Sequence, residues 1–146
     1  MSPGVAARRD GFLIDTDPAA VDLDLVTGFL RQSYWASGVP PDVLERSIRN
    51  ALVWSLKQEA GGVQVGFARV VTDLARFAWL SDVFVLEAFR GRGLGRFLVG
   101  TVLEDPRLRE VPRWMLGTRD MHPLYRRFGF EDAPEGRYMV LIRRRA

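Results

Sequence analysis

FRGRGLGRFLVG, residues 89–100, sets three glycines at alternate positions among arginines and then turns abruptly apolar. Glycine weakens a helix interior. Yet Leu94, Phe97, Leu98 and Val102 recur at helical spacing from the end of the cluster until Asp105-Pro106 stops the run. The glycines therefore fall at the start of a helix. A helix N-terminus carries unpaired amides and the positive end of the dipole. Glycines let phosphate oxygens approach those amides closely, and Arg90, Arg92 and Arg96 add charge-assisted hydrogen bonds. Arg90-Gly91-Arg92-Gly93-Leu94-Gly95-Arg96 reads as a diphosphate cradle, or else as a tight strand-to-helix turn with solvated arginines. Two other nucleotide motifs fail on detail: a P-loop needs a lysine after its glycines, and the dinucleotide fingerprint is GxGxxG in an early βαβ unit.

Outward from the cluster, the period of the apolar residues changes along the chain. Gly11 to Asp15 alternates as a short strand, and Asp17-Pro18 resembles a helix start with Val21, Leu25 and Phe29 at helical spacing. Leu44, Ile48 and Ala51 suggest a second helix after the Pro40-Pro41 break. Leu52–Lys57, Val63–Asp73 and Arg76–Val85 read as three strands of an antiparallel meander, with turns at 59–62 and 72–75. Past the glycine-led helix come a strand at Arg113–Thr118, a short helix at His122–Phe128 closed by Gly129, and a last strand at Arg137–Ile142. The order predicts an α/β (α+β) fold of one domain spanning 1–146. Its mixed, mostly antiparallel sheet has six to seven strands flanked by about four helices.

Composition narrows the chemistry. The 146 residues suit one core, and 47% hydrophobic with 27% charged residues is ordinary for a globular chain. No apolar run approaches a membrane span, and the N-terminus lacks a secretory signal, so a cytoplasmic protein is expected. Cysteine is absent and there is one histidine, which disfavours thiolate catalysis and a metal site. The net charge of +3 is carried almost wholly by arginine, but acidic residues are interspersed and only Arg143–Arg145 forms a dense basic run. That pattern disfavours nucleic acid as a partner.

Arg90-Gly91-Arg92-Gly93-Leu94-Gly95 resembles the [QR]-x-x-G-x-[GA] signature of the GNAT acyltransferase superfamily. Leu124-Tyr125-Arg-Arg-Phe-Gly129-Phe130 resembles that family's Tyr-x-x-x-Gly-Phe element. The resemblance runs from about Gly11 to Ile142 and is weakest over residues 31–50. It implies acetyl-coenzyme A (acetyl-CoA) as cosubstrate without a metal, its diphosphate on the amides of Arg90 to Arg96. The pantetheine would run between two splayed strands, those ending at Val85 and beginning at Trp114, and pair with backbone groups of Phe84 and Val85. Tyr125 would then be the acid that protonates the departing thiolate. Tyr34 and Trp35 fall where the family builds its acceptor pocket.

Two further groups are weighed as bases. Asp82 shares a face with Phe84 by alternation, beside apolar residues that raise a carboxylate pKa. It is expected to accept or relay the amine proton, or else to bind a cationic substrate or pair with an arginine. His122, at the start of the short helix, is a weaker candidate. Trp54, Trp79 and Trp114 lie in strands and are assigned to the core. The implied activity is acetyl transfer from acetyl-CoA to a primary amine, small or peptidic, by direct attack; a homodimer is compatible with it. The alternative is a coenzyme-binding sensor or regulatory module without turnover.

Overall fold

The computed structural model describes residues 4–144 and contains a six-stranded mixed sheet flanked by four helices. Strands β1 (Val5–Arg9), β2 (Phe12–Asp15), β3 (Leu52–Gln58), β4 (Gln64–Thr72) and β5 (Ala78–Val85) pair antiparallel in chain order. The sixth, β6 (Trp114–Met115), pairs parallel to β5 and forms the sheet edge. Helices α1 (Leu23–Gln32) and α2 (Pro41–Arg49) cover one face; α3 (Leu94–Leu103) and α4 (His122–Arg126) cover the other.

Each face has its own core. Val26 and Leu30 of α1 and Leu44 and Ile48 of α2 pack on Val53, Phe67 and Phe84. Leu94, Leu98, Val99 and Val102 of α3 pack on Trp54, Leu56, Val70 and Leu80. Burying such side chains contributes about 1.5–3 kcal/mol each, so the period-two pattern of β3 to β5 fixes their register. Gly66 is required by crowding: a Cβ there would lie 2.8 Å from the Phe84 carbonyl oxygen and 2.9 Å from Leu56.

Four expectations are corrected. The helix expected from Asp17 is divided: Asp17 caps only the 3-10 turn Pro18–Ala20, and Asp22 starts α1 by accepting from the Leu25 amide at 3.1 Å. Strand β1 is an additional element, because its VAARR sequence has no apolar alternation to announce it. The strand expected at Arg113–Thr118 keeps only two residues paired. No strand forms at Arg137–Ile142; a turn at Pro134–Arg137 precedes it, and an extended sequence makes a strand only where a neighbour meets it.

Candidate active site

The centre of the site is an irregularity in β5. Phe67 of β4 faces Phe84 and Arg69 faces Ser81, so β5 carries one residue more than β4 over this stretch. The extra residue makes a bulge at Asp82, whose φ is +54°, in the left-handed region that short polar side chains tolerate best. Before the bulge Leu80 packs toward α3; after it Phe84 packs toward α1 and α2. Neighbouring residues Ser81 and Asp82 thus both reach the α1–α2 side. There the Arg69 Nε donates to Asp82 Oδ2 at 2.7 Å, and its guanidinium reaches Ser81 Oγ at 3.3 Å. The Trp35 indole Nε1 donates to Asp82 Oδ1 at 2.8 Å.

Asp82 is therefore a buried carboxylate with both oxygens engaged, and of the alternatives weighed from the sequence it takes the pairing with an arginine. Arg69 and Trp35 compensate its desolvation. The Arg69 contact could not be foreseen by counting along β5, because it crosses from β4.

Beyond Trp79–Met115 the pairing of β5 with β6 ends, and the two strands border a cleft of about 550 Å³. Asp82, Trp35 and Tyr34 line it from one side, Tyr125 and the 116–121 loop from the other. Tyr34 spans the opening: its hydroxyl accepts from the Arg119 amide at 3.0 Å, and the Arg119 guanidinium lies 3.9 Å from its ring centroid. Trp35 packs edge-on against Tyr34, with centroids 5.1 Å apart. Trp79, expected in the core, is 36% exposed and forms part of the cleft wall, where its ring packs beside Gly117. Trp54 is buried in the core as expected, while Trp114 is half-buried beside a second cleft.

Tyr125 comes from α4, where Pro123 sits in the first turn and Gly129, at φ +93°, ends the segment. Its ring packs edge-on to Phe130 at 5.9 Å. Burial, with Tyr34 close by as a smaller cause, pushes its phenol up to about 12. It is consequently a neutral proton donor throughout the physiological range. His122, at the exposed start of the same helix, lines the second cleft instead.

The glycine-rich turn lies past the end of β5. Gly91 and Gly93 have φ of +80° and +76°, so these positions need glycine for backbone conformation. No other group crowds them: nothing lies within 4 Å of a Cβ placed at Gly91, and at Gly93 only an Arg9 nitrogen at 3.8 Å. Gly93 is the N-cap of α3 and no side chain caps that helix. Among the described residues the amides of Leu94, Gly95 and Arg96 find no acceptor. The arginines differ in placement: Arg90 Nε donates to the Val85 carbonyl at 2.9 Å, and Arg92 stands over the Phe89 ring at 5.3 Å. Of the two residues expected to meet pantetheine, Phe84 turns its carbonyl toward Gly66 of β4 and Val85 has its carbonyl engaged by Arg90.

The structure thus brings Asp82, Trp35, Tyr34 and Tyr125 to one cleft and sets the turn of residues 90–96 beyond the end of β5. Residues 49–132 match the family model described as "Acetyltransferase (GNAT) domain". A Gibberella zeae protein assigned as an acetyltransferase is 30% identical, the match covering 87% of this chain and 83% of that one. A crystal structure assigned to the GNAT family, from Xanthomonas campestris pv. campestris, superposes with a TM-score of 0.82 at 36% identity, covering 90% of this chain and 96% of the other. A Clostridium acetobutylicum protein solved with acetyl-CoA shares the fold at a TM-score of 0.66 and 13% identity, over 90% of this chain and 94% of its own.

Proposed function

The chain belongs to the GNAT acetyltransferase family, and on that premise we propose that it transfers an acetyl group from acetyl-CoA to a primary amine by direct attack. The observation that carries this reading is the single cleft in which a neutral, buried phenol faces the Trp35–Asp82–Arg69 network where β5 and β6 part. The free amides at the start of α3 and the flanking arginines take the diphosphate, where the dipole favours negative charge. Backbone groups of β5 beyond Trp79 no longer pair with β6 and are available to the pantetheine amides.

The amine nitrogen attacks the thioester carbon, and the carbonyl oxygen becomes an oxyanion. Backbone N–H groups on the open side of β5 offset that charge. Collapse breaks the carbon–sulfur bond, and the sulfur takes the Tyr125 proton; the acetylated amine keeps the acyl group. An alkylamine with pKa near 10 must shed a proton before or after attack. Asp82 has both oxygens engaged, so water in the cleft carries that proton out, while Asp82 acts as a positioning residue that holds Trp35 against the acceptor.

The test is release of free thiol from acetyl-CoA across a library of amines. Stimulation by a subset of amines is expected. Tight acetyl-CoA binding with no amine-dependent release would instead identify a sensor module.

A further inference from the structure

The turn between β4 and β5 is held by its own side chains. Asp73 Oδ1 accepts from the amides of Ala75, Arg76 and Phe77 at 2.9, 2.8 and 3.2 Å. Thr72 Oγ1 accepts from the Leu74 amide at 2.9 Å and donates to the Phe77 carbonyl at 2.6 Å. This framework fixes Leu74 at φ +65°, in the left-handed region that glycine or asparagine occupies at less cost. Leu74 is 51% exposed, so no core contact offsets that conformation. Phe77 closes the turn at 36% exposure, and Val71, which pairs with Trp79 across the hairpin, is 44% exposed.

These residues lead into the active-site cleft. Val70 and Leu80 pack toward α3, so by alternation Val71 and Trp79 stand on the opposite face, beyond the cover of α1 and α2. Trp79 is part of the cleft wall. Trp79, Val71, Phe77 and Leu74 thus form an apolar strip from the cleft to the tip of the hairpin, and an open strip of this kind marks a binding surface. We propose, on the acetyl-transfer reading, that the acceptor is a polypeptide. It presents its amine in the cleft and lays the apolar residues behind that amine along this strip.

Length, charge and position select that occupant. Asp82 to Phe77 spans roughly 16 Å at ~3.3 Å per residue, which suits about five residues of extended chain and exceeds a free amino acid. The charged groups along the route are mostly satisfied: Asp82 and Arg69 hold each other, Asp73 is taken up by its own turn, and Arg119 lies 3.8 Å from Asp120. Arg76 adds a cation at the turn. With its carboxylates occupied, the strip disfavours a polyamine or a lysine-rich tail and suits uncharged side chains. A second copy seated permanently over Trp79 would narrow the cleft that the acceptor enters. The occupant must come and go with turnover, as an acceptor does. The hydrogen bonds of the turn set the strip before binding, which lowers the ordering cost.

Thiol release by the full chain would be compared across three acceptors: an amino-acid amide, a hexapeptide amide with Leu, Phe and Val behind its amine, and the same length in Ser and Gly. The apolar hexapeptide should show kcat/KM about tenfold above the other two; equal values overturn the proposal. Phe77→Ser and Leu74→Gly should each raise its KM about threefold, with the amino-acid amide and acetyl-CoA unaffected. Leu74→Gly should do so without lowering the melting temperature, because glycine relieves the left-handed position. A preference that survives both substitutions overturns the proposal, as does a sedimenting dimer that both substitutions dissociate. If no amine at all releases thiol, the acetyl-transfer reading fails instead. Calorimetry of the two hexapeptides against wild type and Phe77→Ser would then still decide the strip.

Discussion

Between Val85 and Leu94 the surface that we propose holds the diphosphate is largely backbone, flanked by arginines: two left-handed glycines and an uncapped helix start, with open space at Gly91. Across the cleft it is made of side chains brought from distant parts of the chain. Trp35 meets Asp82 over 47 residues of sequence, and Tyr34 meets Arg119 over 85. A surface of backbone recognises charge and shape rather than side-chain detail, here a diphosphate in our proposal. A surface of side chains can be rebuilt for each acceptor without touching the other half.

Four measurements would break or sharpen that contrast. The largest effect is expected at Tyr125, where Tyr125→Phe keeps the ring and removes the proton. kcat should fall roughly 10- to 1000-fold, with acetyl-CoA affinity nearly unchanged by calorimetry. Deprotonation abolishes an acid, and burial pushes this phenol up to about 12, so wild-type activity should show no Tyr125-linked fall below about pH 11. Wild-type turnover in the variant, with chemistry limiting, would exclude this acid.

The next effect belongs to the backbone half. Gly93→Val puts a branched residue at φ +76° and covers the amides of α3, so acetyl-CoA affinity should drop at least tenfold, about 1.4 kcal/mol. Strain of roughly 1–3 kcal/mol should also lower the melting temperature. Unchanged affinity in a folded variant would remove the cradle from this turn.

Trp35→Phe deletes one hydrogen bond to Asp82 and keeps most of the ring area. About fivefold higher acceptor KM is expected, with acetyl-CoA KM unmoved, since uniform acceptor binding is what the contact supports. Equal effects on both substrates would erase the division between the two halves.

The smallest effect lies outside both. Asp105 is pushed up by burial, but hydrogen bonds from the Arg107 side chain and amide outweigh this and hold its carboxyl below the usual carboxylate range. A group depressed on folding contributes stability above its unfolded pKa and loses it as pH falls through the folded value. Asp105→Asn should thus melt about 3 °C lower at pH 7, and the difference should close in thermal scans below about pH 4.

The meander, the glycine turn and α4 were legible because each is announced locally: period two in β3 to β5, glycine before a helical stripe, proline and glycine bracketing Tyr125. The membership in an acetyltransferase family was legible for the same reason. The Arg69–Asp82 pair, the exposed Trp79 and the Tyr34–Arg119 bridge were not, because each depends on which strands lie side by side. The 137–142 segment marks the limit from the other side. Its residues are of strand type, but pairing is a property of two partners, and no strand forms there.

The bulge at Asp82 also works as a phase shift in a period-two code. Deleting Asp82 would restore plain alternation, setting Val83 opposite Ala68 with Phe84 still opposite Phe67. Phe84, stacked on Phe29 at 3.8 Å between centroids, would stay among α1 and α2, and Leu80 would stay against α3. The extra residue thus gives the cleft wall a carboxylate without displacing either core. Loss of that one codon should therefore leave the fold in place and remove the contacts to Arg69 and Trp35.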